Sequence, residues 1–126
     1  MPLAILTENQ ARAFAEEWIA AWNSHEIERI LSHYSDDFQM TSPFIVKLAC
    51  ASDGTLMGKA EVARYWRAAL LKMPTLSFRL LGVFFSANSL CIHYESVLGL
   101  KAVEWLRFDS EHKVTEAVAH YDKIPG

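Results

Sequence analysis

From Leu76 onward the chain is written almost entirely in β-forming segments, and that run constrains the fold more than any other feature. LSFRLLGVFF (76–85) is rich in β-formers. LCIHYESVL (90–98) alternates, with Leu90, Ile92, Tyr94, Ser96 and Leu98 on one face. LKAVEWLRFD (100–109) and KVTEAVAHYD (113–122) follow. The connections are tight: Ala87-Asn88-Ser89, then Gly99, then Ser110-Glu111-His112. Strands joined this closely pair antiparallel as a meander.

The first part of the chain has the other periodicity. Thr7 and Gln10 have capping-box spacing, and Ala11, Phe14, Ala15, Trp18 and Trp22 then repeat as one helix face. Asn23-Ser24 breaks the pattern, and Ser24 caps a shorter helix carrying Ile27, Ile30, Leu31 and Tyr34. A strand follows in DDFQMTSPF, with Phe38, Met40 and Ser42 on one face, and Pro43 ends it. Residues 44–58 read as two short strands or a flap around the turn signal Asp53-Gly54, with Phe44, Ile45, Leu48, Leu56 and Met57 as apolar contacts. A third helix carries Val62, Tyr65, Trp66, Ala69, Leu70 and Met73 and ends at Pro74.

Helices first and a long meander last predict one α+β domain over 1–126, its curved antiparallel sheet wrapped on three helices with space between. The 126 residues suit one domain, and 52% hydrophobic residues supply a core or a roomy cavity. The net charge of −3 and the lack of a basic stripe argue against a nucleic-acid partner. No apolar run is long enough to span a bilayer and no signal-peptide pattern is present, so a cytoplasmic location is expected. Cys50 and Cys91 read as two free thiols. The five histidines form no metal-ligand spacing, although His93 and Glu95 share a strand face; no metal and no cofactor is expected. Nucleophile-elbow and phosphate-loop patterns are missing, and Asp36-Asp37 reads as a solvated junction rather than a catalytic pair.

The motifs WIAAWNSH (18–25), HYSDDF (33–38), GKAEVARYW (58–66) and RFDSEHKV (107–114) follow one another in an order that resembles the nuclear transport factor 2-like superfamily, and within it the SnoaL-like and ketosteroid-isomerase-like proteins. The resemblance covers nearly the whole chain. It implies a cone-shaped roll of the cystatin-like or nuclear transport factor 2-like kind, a ligand pocket inside the cone, and a dimer through the outer sheet face. It also implies positions for the isomerase machinery, and most are altered. Ser42 stands where the general-base aspartate would be, Trp18 and Trp66 where two tyrosines would be, and Glu104 where the protonated partner acid would be. A serine hydroxyl has no accessible pKa for taking a proton unaided, so steroid double-bond isomerisation is not expected.

Glu104 is the sharpest candidate. It shares a strand face with Leu106 and Phe108, and a carboxylate in an apolar row is costly unless paired, hydrogen-bonded or protonated. A slip of one residue in register would instead put it in water. Tyr94 and Tyr121 would point inward beside Ser96, Ala117 and Ala119, and Tyr34 is a further hydroxyl donor. The expected pocket combines Glu104 and these tyrosines with Trp18, Phe38, Met40, Ser42, Trp66, Phe78, Leu106 and Phe108, around a small hydrophobic ligand. Glu104 and one tyrosine hydroxyl would orient the ligand's polar group. The alternative is an isomerase, cyclase or dehydratase working next to a carbonyl with the same residues. On the opposite face, Val103, Trp105, Val118 and His120 make a surface too apolar for water, which suits a homodimer interface or an interaction module for another protein.

Overall fold

The computed structural model describes residues 5–48, 51 and 53–125; Cys50 lies outside them. Helix α1 (Glu8–Ser24) starts in the expected capping box: Thr7 Oγ1 accepts the Gln10 N–H and Gln10 Oε1 accepts the Thr7 N–H. It runs through Asn23 and Ser24 and stops at His25 in the left-handed conformation. A short α2 (Ile27–Leu31) precedes strand β1 (Tyr34–Thr41), so Tyr34 opens a strand rather than closing a helix.

Residues 44–58 differ from expectation. Ser42 is an N-cap, its Oγ accepting the Phe44 N–H at 3.2 Å, and Pro43 is the first residue of a one-turn helix α3 (Pro43–Lys47). Proline suits that position because its missing N–H would be unpaired there anyway. Among the described residues of this segment only Thr55–Met57 forms a strand, β2, antiparallel to β1. The Ser42 N–H donates to the Gly54 carbonyl, closing the loop between them. Gly54 has φ +78°, and a Cβ there would lie 3.1 Å from Val46 and 3.2 Å from the Ser42 carbonyl oxygen, so glycine is required twice over. Ile45 and Leu56 are buried as expected, whereas Met57 is exposed.

Helix α4 (Lys59–Lys72) leads to β3 (Arg79–Phe85), β4 (Ser89–Glu95), β5 (Lys101–Phe108) and β6 (Val114–Tyr121). The sheet order is β2-β1-β6-β5-β4-β3. The meander pairs antiparallel as expected, but β1 joins β6 in parallel, so the sheet is mixed. β3 also begins later than predicted, because Asn23 takes the place of a pairing strand there. Its side chain donates to the Phe78 carbonyl at 3.0 Å and accepts the Phe78 N–H at 2.7 Å. β4 ends at Glu95, and Val97–Gly99 is a 3-10 turn in which Leu98 has φ +59° and is 82% exposed. Leu98 is therefore not part of the inward strand row.

The concave face of the sheet closes on α1 and α4. Phe38, Leu106, Phe108 and Val114 are buried there, and Phe14 of α1 meets Phe108 edge to face at 4.9 Å. No helix among the described residues is long and apolar enough to cross a membrane.

Candidate functional site

The register of the meander explains how a carboxyl comes to lie inside. Three inward rows cross the strands: Leu90–Leu106–Ala117, then Ile92–Glu104–Ala119, then Tyr94–Ala102–Tyr121. Glu104 is thus diagonal to both tyrosines, with Ala102 between them in the register. The Tyr94 hydroxyl donates to Glu104 Oε1 at 3.1 Å. Glu104 Oε2 has no partner among the described residues, and Glu104 lines a cavity.

That cavity, about 160 Å³, lies between the sheet, α1 and α4. Its helix side is aromatic: Trp18 stacks on Phe78 at 5.8 Å, and Trp22 meets Trp66 edge to face at 5.0 Å. Met40, Ser42, Tyr94, Glu104 and Tyr121 form the sheet side. Phe44 reaches in from α3 and meets the Tyr121 ring edge to face at 4.8 Å. The lining residues Leu98 and Leu48 are 82% and 44% exposed, which puts the mouth between the β4–β5 turn and the end of α3.

Electrostatically the site is one buried acid among hydroxyls. Burial pushes Glu104 up from 4.5 to about 7, and the Tyr94 hydrogen bond only partly opposes this. Burial, then the Glu104 charge, raises Tyr94 and Tyr121 well above the usual phenol range, so both remain protonated donors. The Tyr121 hydroxyl also lies close enough to those of Tyr94 and Ser42 to interact with both. Trp22 Nε1 is enclosed in the aromatic wall with no partner among the described residues. Among those residues no group of three or more His, Cys, Asp or Glu could hold a metal ion.

Of the residues singled out in the sequence, Trp18, Met40, Ser42, Trp66, Phe78, Tyr94, Glu104 and Tyr121 come together around the cavity. Tyr34, Phe38, Leu106 and Phe108 do not reach it; they are packed solid behind it, each at most 2% exposed. Tyr34 braces the wall from behind: its hydroxyl accepts the Trp18 indole N–H at 2.9 Å and its ring lies 4.5 Å from that of Phe38. It holds the Trp18 wall in place rather than offering a donor to the cavity. The reason is depth. Alternation assigns a residue to a face, but Leu106 and Phe108 point inward at the filled end of the cone and Glu104 at the open end.

Several lining residues escaped the sequence reading. Trp22 lies on the core stripe of α1 beside Trp18 and was separable from plain packing only by tertiary position. Phe44 and Leu48 needed the Ser-Pro helix start to be recognised. Leu76 lines the cavity from the α4–β3 connection and Val97 from the β4–β5 turn, where periodicity carries no signal, and Met73, on the expected helical stripe, lines it from the C-cap of α4.

Residues 15–122 match the family model of the SnoaL-like domain. The chain superposes with a TM-score of 0.91 on the crystal structure of a SnoaL-like protein of unknown function from Burkholderia thailandensis, at 41% identity over 94% of this chain and 99% of that one. A nuclear transport factor 2-like protein of unknown function from Cytophaga hutchinsonii shares the fold at TM-score 0.69, with 16% identity over 97% and 95% of the two chains. So does the epoxide hydrolase/cyclase-like enzyme SalBIII, which takes part in pyran ring formation in the polyether salinomycin, at TM-score 0.72 and 10% identity over 90% and 92%. No curated protein matches the chain.

Proposed function

The chain belongs to the family of SnoaL-like domains, and from that premise and the chemistry of the cavity we propose that it binds a small hydrophobic molecule through one hydrogen-bond-accepting group. The observation that carries the reading is Glu104, a buried carboxyl pushed up to about 7 and the one carboxyl among the described residues that line an aromatic cavity. Below that value it is protonated and can donate from Oε2, which suits a carbonyl or ether oxygen. A cavity near 160 Å³ is well under the roughly 300 Å³ at which pockets for drug-sized ligands begin. It is close to the ~150 Å³ apolar cavity that admits benzene. A single-ring compound fits that size, and a four-ring steroid does not.

Cyclohexanone is a suitable probe, because Trp18, Trp22 and Trp66 line the cavity and report on it by fluorescence. Binding is expected to quench emission and to weaken about tenfold between pH 6 and pH 8, as Glu104 loses the proton it donates. In Glu104→Gln the pH dependence should vanish. Equal binding by wild type at both pH values would remove Glu104 as the anchor.

The same ionisation midpoint favours a second reading, in which Glu104 shuttles a proton next to a carbonyl. A group that titrates near neutrality suits general acid–base work. Among the described residues the other polar lining side chains are the hydroxyls of Ser42, Tyr65, Tyr94, Ser96 and Tyr121 and the indoles of Trp18, Trp22 and Trp66, so one acid/base acts alone. That fits a proton shift, where one group removes and returns the proton, better than dehydration or cyclisation, which need an acid and a base together. Deuterium uptake at the carbons flanking the cyclohexanone carbonyl, faster with wild type than with Glu104→Gln, separates catalysis from binding alone.

The outer sheet face supports a homodimer. Phe84, Cys91, Trp105 and Val118 form one apolar row across four strands, next to His93, Val103 and His120. Cross-strand ion pairs, Arg107–Glu116 on one side and Arg79–Glu95 on the other, border these rows. An apolar stripe with charged margins is the anatomy of a subunit interface. Sedimentation should show a dimer at micromolar concentration and a monomer for Trp105→Glu; a monomeric wild type would dismiss the interface.

A further inference from the structure

We propose that the ligand site continues out of the cavity into a groove along α4, and that this groove takes an anionic group, a carboxylate or a phosphate, tethered to the ring held inside. The proposal rests on the reading of the cavity as a ligand site and adds the chemistry of the ligand's other end. A space of about 450 Å³ runs beside α4 and shares the walls Leu48, Tyr65 and Ala69 with the cavity. The two are therefore neighbours across one rim, and a ligand longer than a single ring leaves the cavity into this groove.

The basic residues of α4 divide in a way that packing does not require. Lys59 pairs with Asp36 at 3.5 Å and Arg67 with Glu28 at 3.2 Å. Arg64 and Lys72 line the groove, and neither has a hydrogen bond or ion pair among the described residues. Glu61 is the one acid among the described lining residues, and its Oε1 accepts the Met57 N–H at 3.3 Å. The groove therefore carries a net positive charge. Arg64, Ala68 and Lys72 are spaced four apart on a single ridge, about 12 Å from first to last by helix rise. The small Ala68 leaves the space between the two cations open, and their long side chains can close on an anion placed there. A guanidinium matches the paired oxygens of a carboxylate or phosphate. The inner end of the site has the opposite preference, because among the described residues its lining holds no cation to pair with a desolvated anion. The site thus has polarity: a neutral ring inward and an anionic tail outward.

Phenylalkanoates of increasing chain length, their matched phenylalkanols and the corresponding phenylalkyl phosphates test this by tryptophan quenching. At the tether length that spans the rim, the anion is expected to bind about five- to tenfold tighter than the alcohol, the worth of one or two partly exposed charge contacts. About 0.5 M salt should cancel that preference. The double variant Arg64→Gln, Lys72→Gln should lose it while binding the alcohols as wild type does. Tighter binding by the phosphates or by the carboxylates identifies which anion the groove fits. Alcohols and anions binding equally at every length, or a preference that survives in the double variant, would overturn the groove but leave the cavity standing. Failure of every compound to quench would overturn both.

Discussion

Replacing Glu104 by Gln is expected to make the protein more stable at pH 8 and to leave it nearly unchanged at pH 4.5. The carboxyl titrates at 4.5 when unfolded and at about 7 when folded. Below pH 4.5 it is protonated in both states and has no effect. Between 4.5 and 7 the unfolded chain releases its proton while the folded one retains it, so stability falls as pH rises, and above 7 the loss is complete. Its full size is on the order of 3 kcal/mol. For a domain of this size that corresponds to a melting temperature roughly 8–12 °C lower than that of the variant at alkaline pH. Glutamine keeps the shape and can still accept the Tyr94 hydroxyl. The comparison isolates one group, because the two proteins differ at this side chain alone. Glu17, which the hydrogen bond and charge of Arg29 and then His33 hold down at about 2, acts only in the acid range and in the opposite sense. Parallel melting curves for the two proteins from pH 4.5 to 8 would mean that Glu104 is solvated, and the cavity chemistry would go with it.

Phe38→Ala should be the most damaging single truncation of those considered. Phe38 is fully buried, its ring 4.5 Å from Tyr34 and 5.7 Å from Trp66, and it lines neither the cavity nor the groove beside α4. Removing a ring from such a position costs roughly 3–5 kcal/mol, transfer and void together. Chemical denaturation measures this directly, and Phe38→Leu gives a graded, foldable companion with about a third of the effect. Affinity for cyclohexanone should stay within about twofold in the Leu variant, because Phe38 lies behind the lining. A loss below 1 kcal/mol for Phe38→Ala would show the ring standing in open space, as the bare alternation of the strand allowed.

These expectations mark where the sequence was readable. The capping box at Thr7, the stripe of α1 and the meander are all visible as local chemistry, and the structure has them. The start of α3 was equally local: Ser42 as cap and Pro43 as first helical residue are a standard helix opening, but the proline read more simply as the end of a strand. The late start of β3 was not local. It depends on Asn23, 55 residues away, occupying the hydrogen bonds of Phe78. The parallel contact of β1 with β6 is of the same kind, since no turn joins them to announce it.

What the sequence determined by itself is the orientation of side chains. A strand turns its residues to alternate faces with period two, so Glu104 inside and Trp105 outside follow once the apolar row is identified. What only the tertiary structure decided is how deep each inward residue lies. Glu104, Leu106 and Phe108 carry the same pattern and face the same way, yet one borders a cavity and two are sealed. That difference comes from the helices on the concave side: Phe14 of α1 fills the end at Phe108, while at the other end Trp18, Trp22 and Trp66 form a wall of touching rings that leaves a cavity against Tyr94, Glu104 and Tyr121. Packing against distant chain sets the volume, and no period within a strand encodes it.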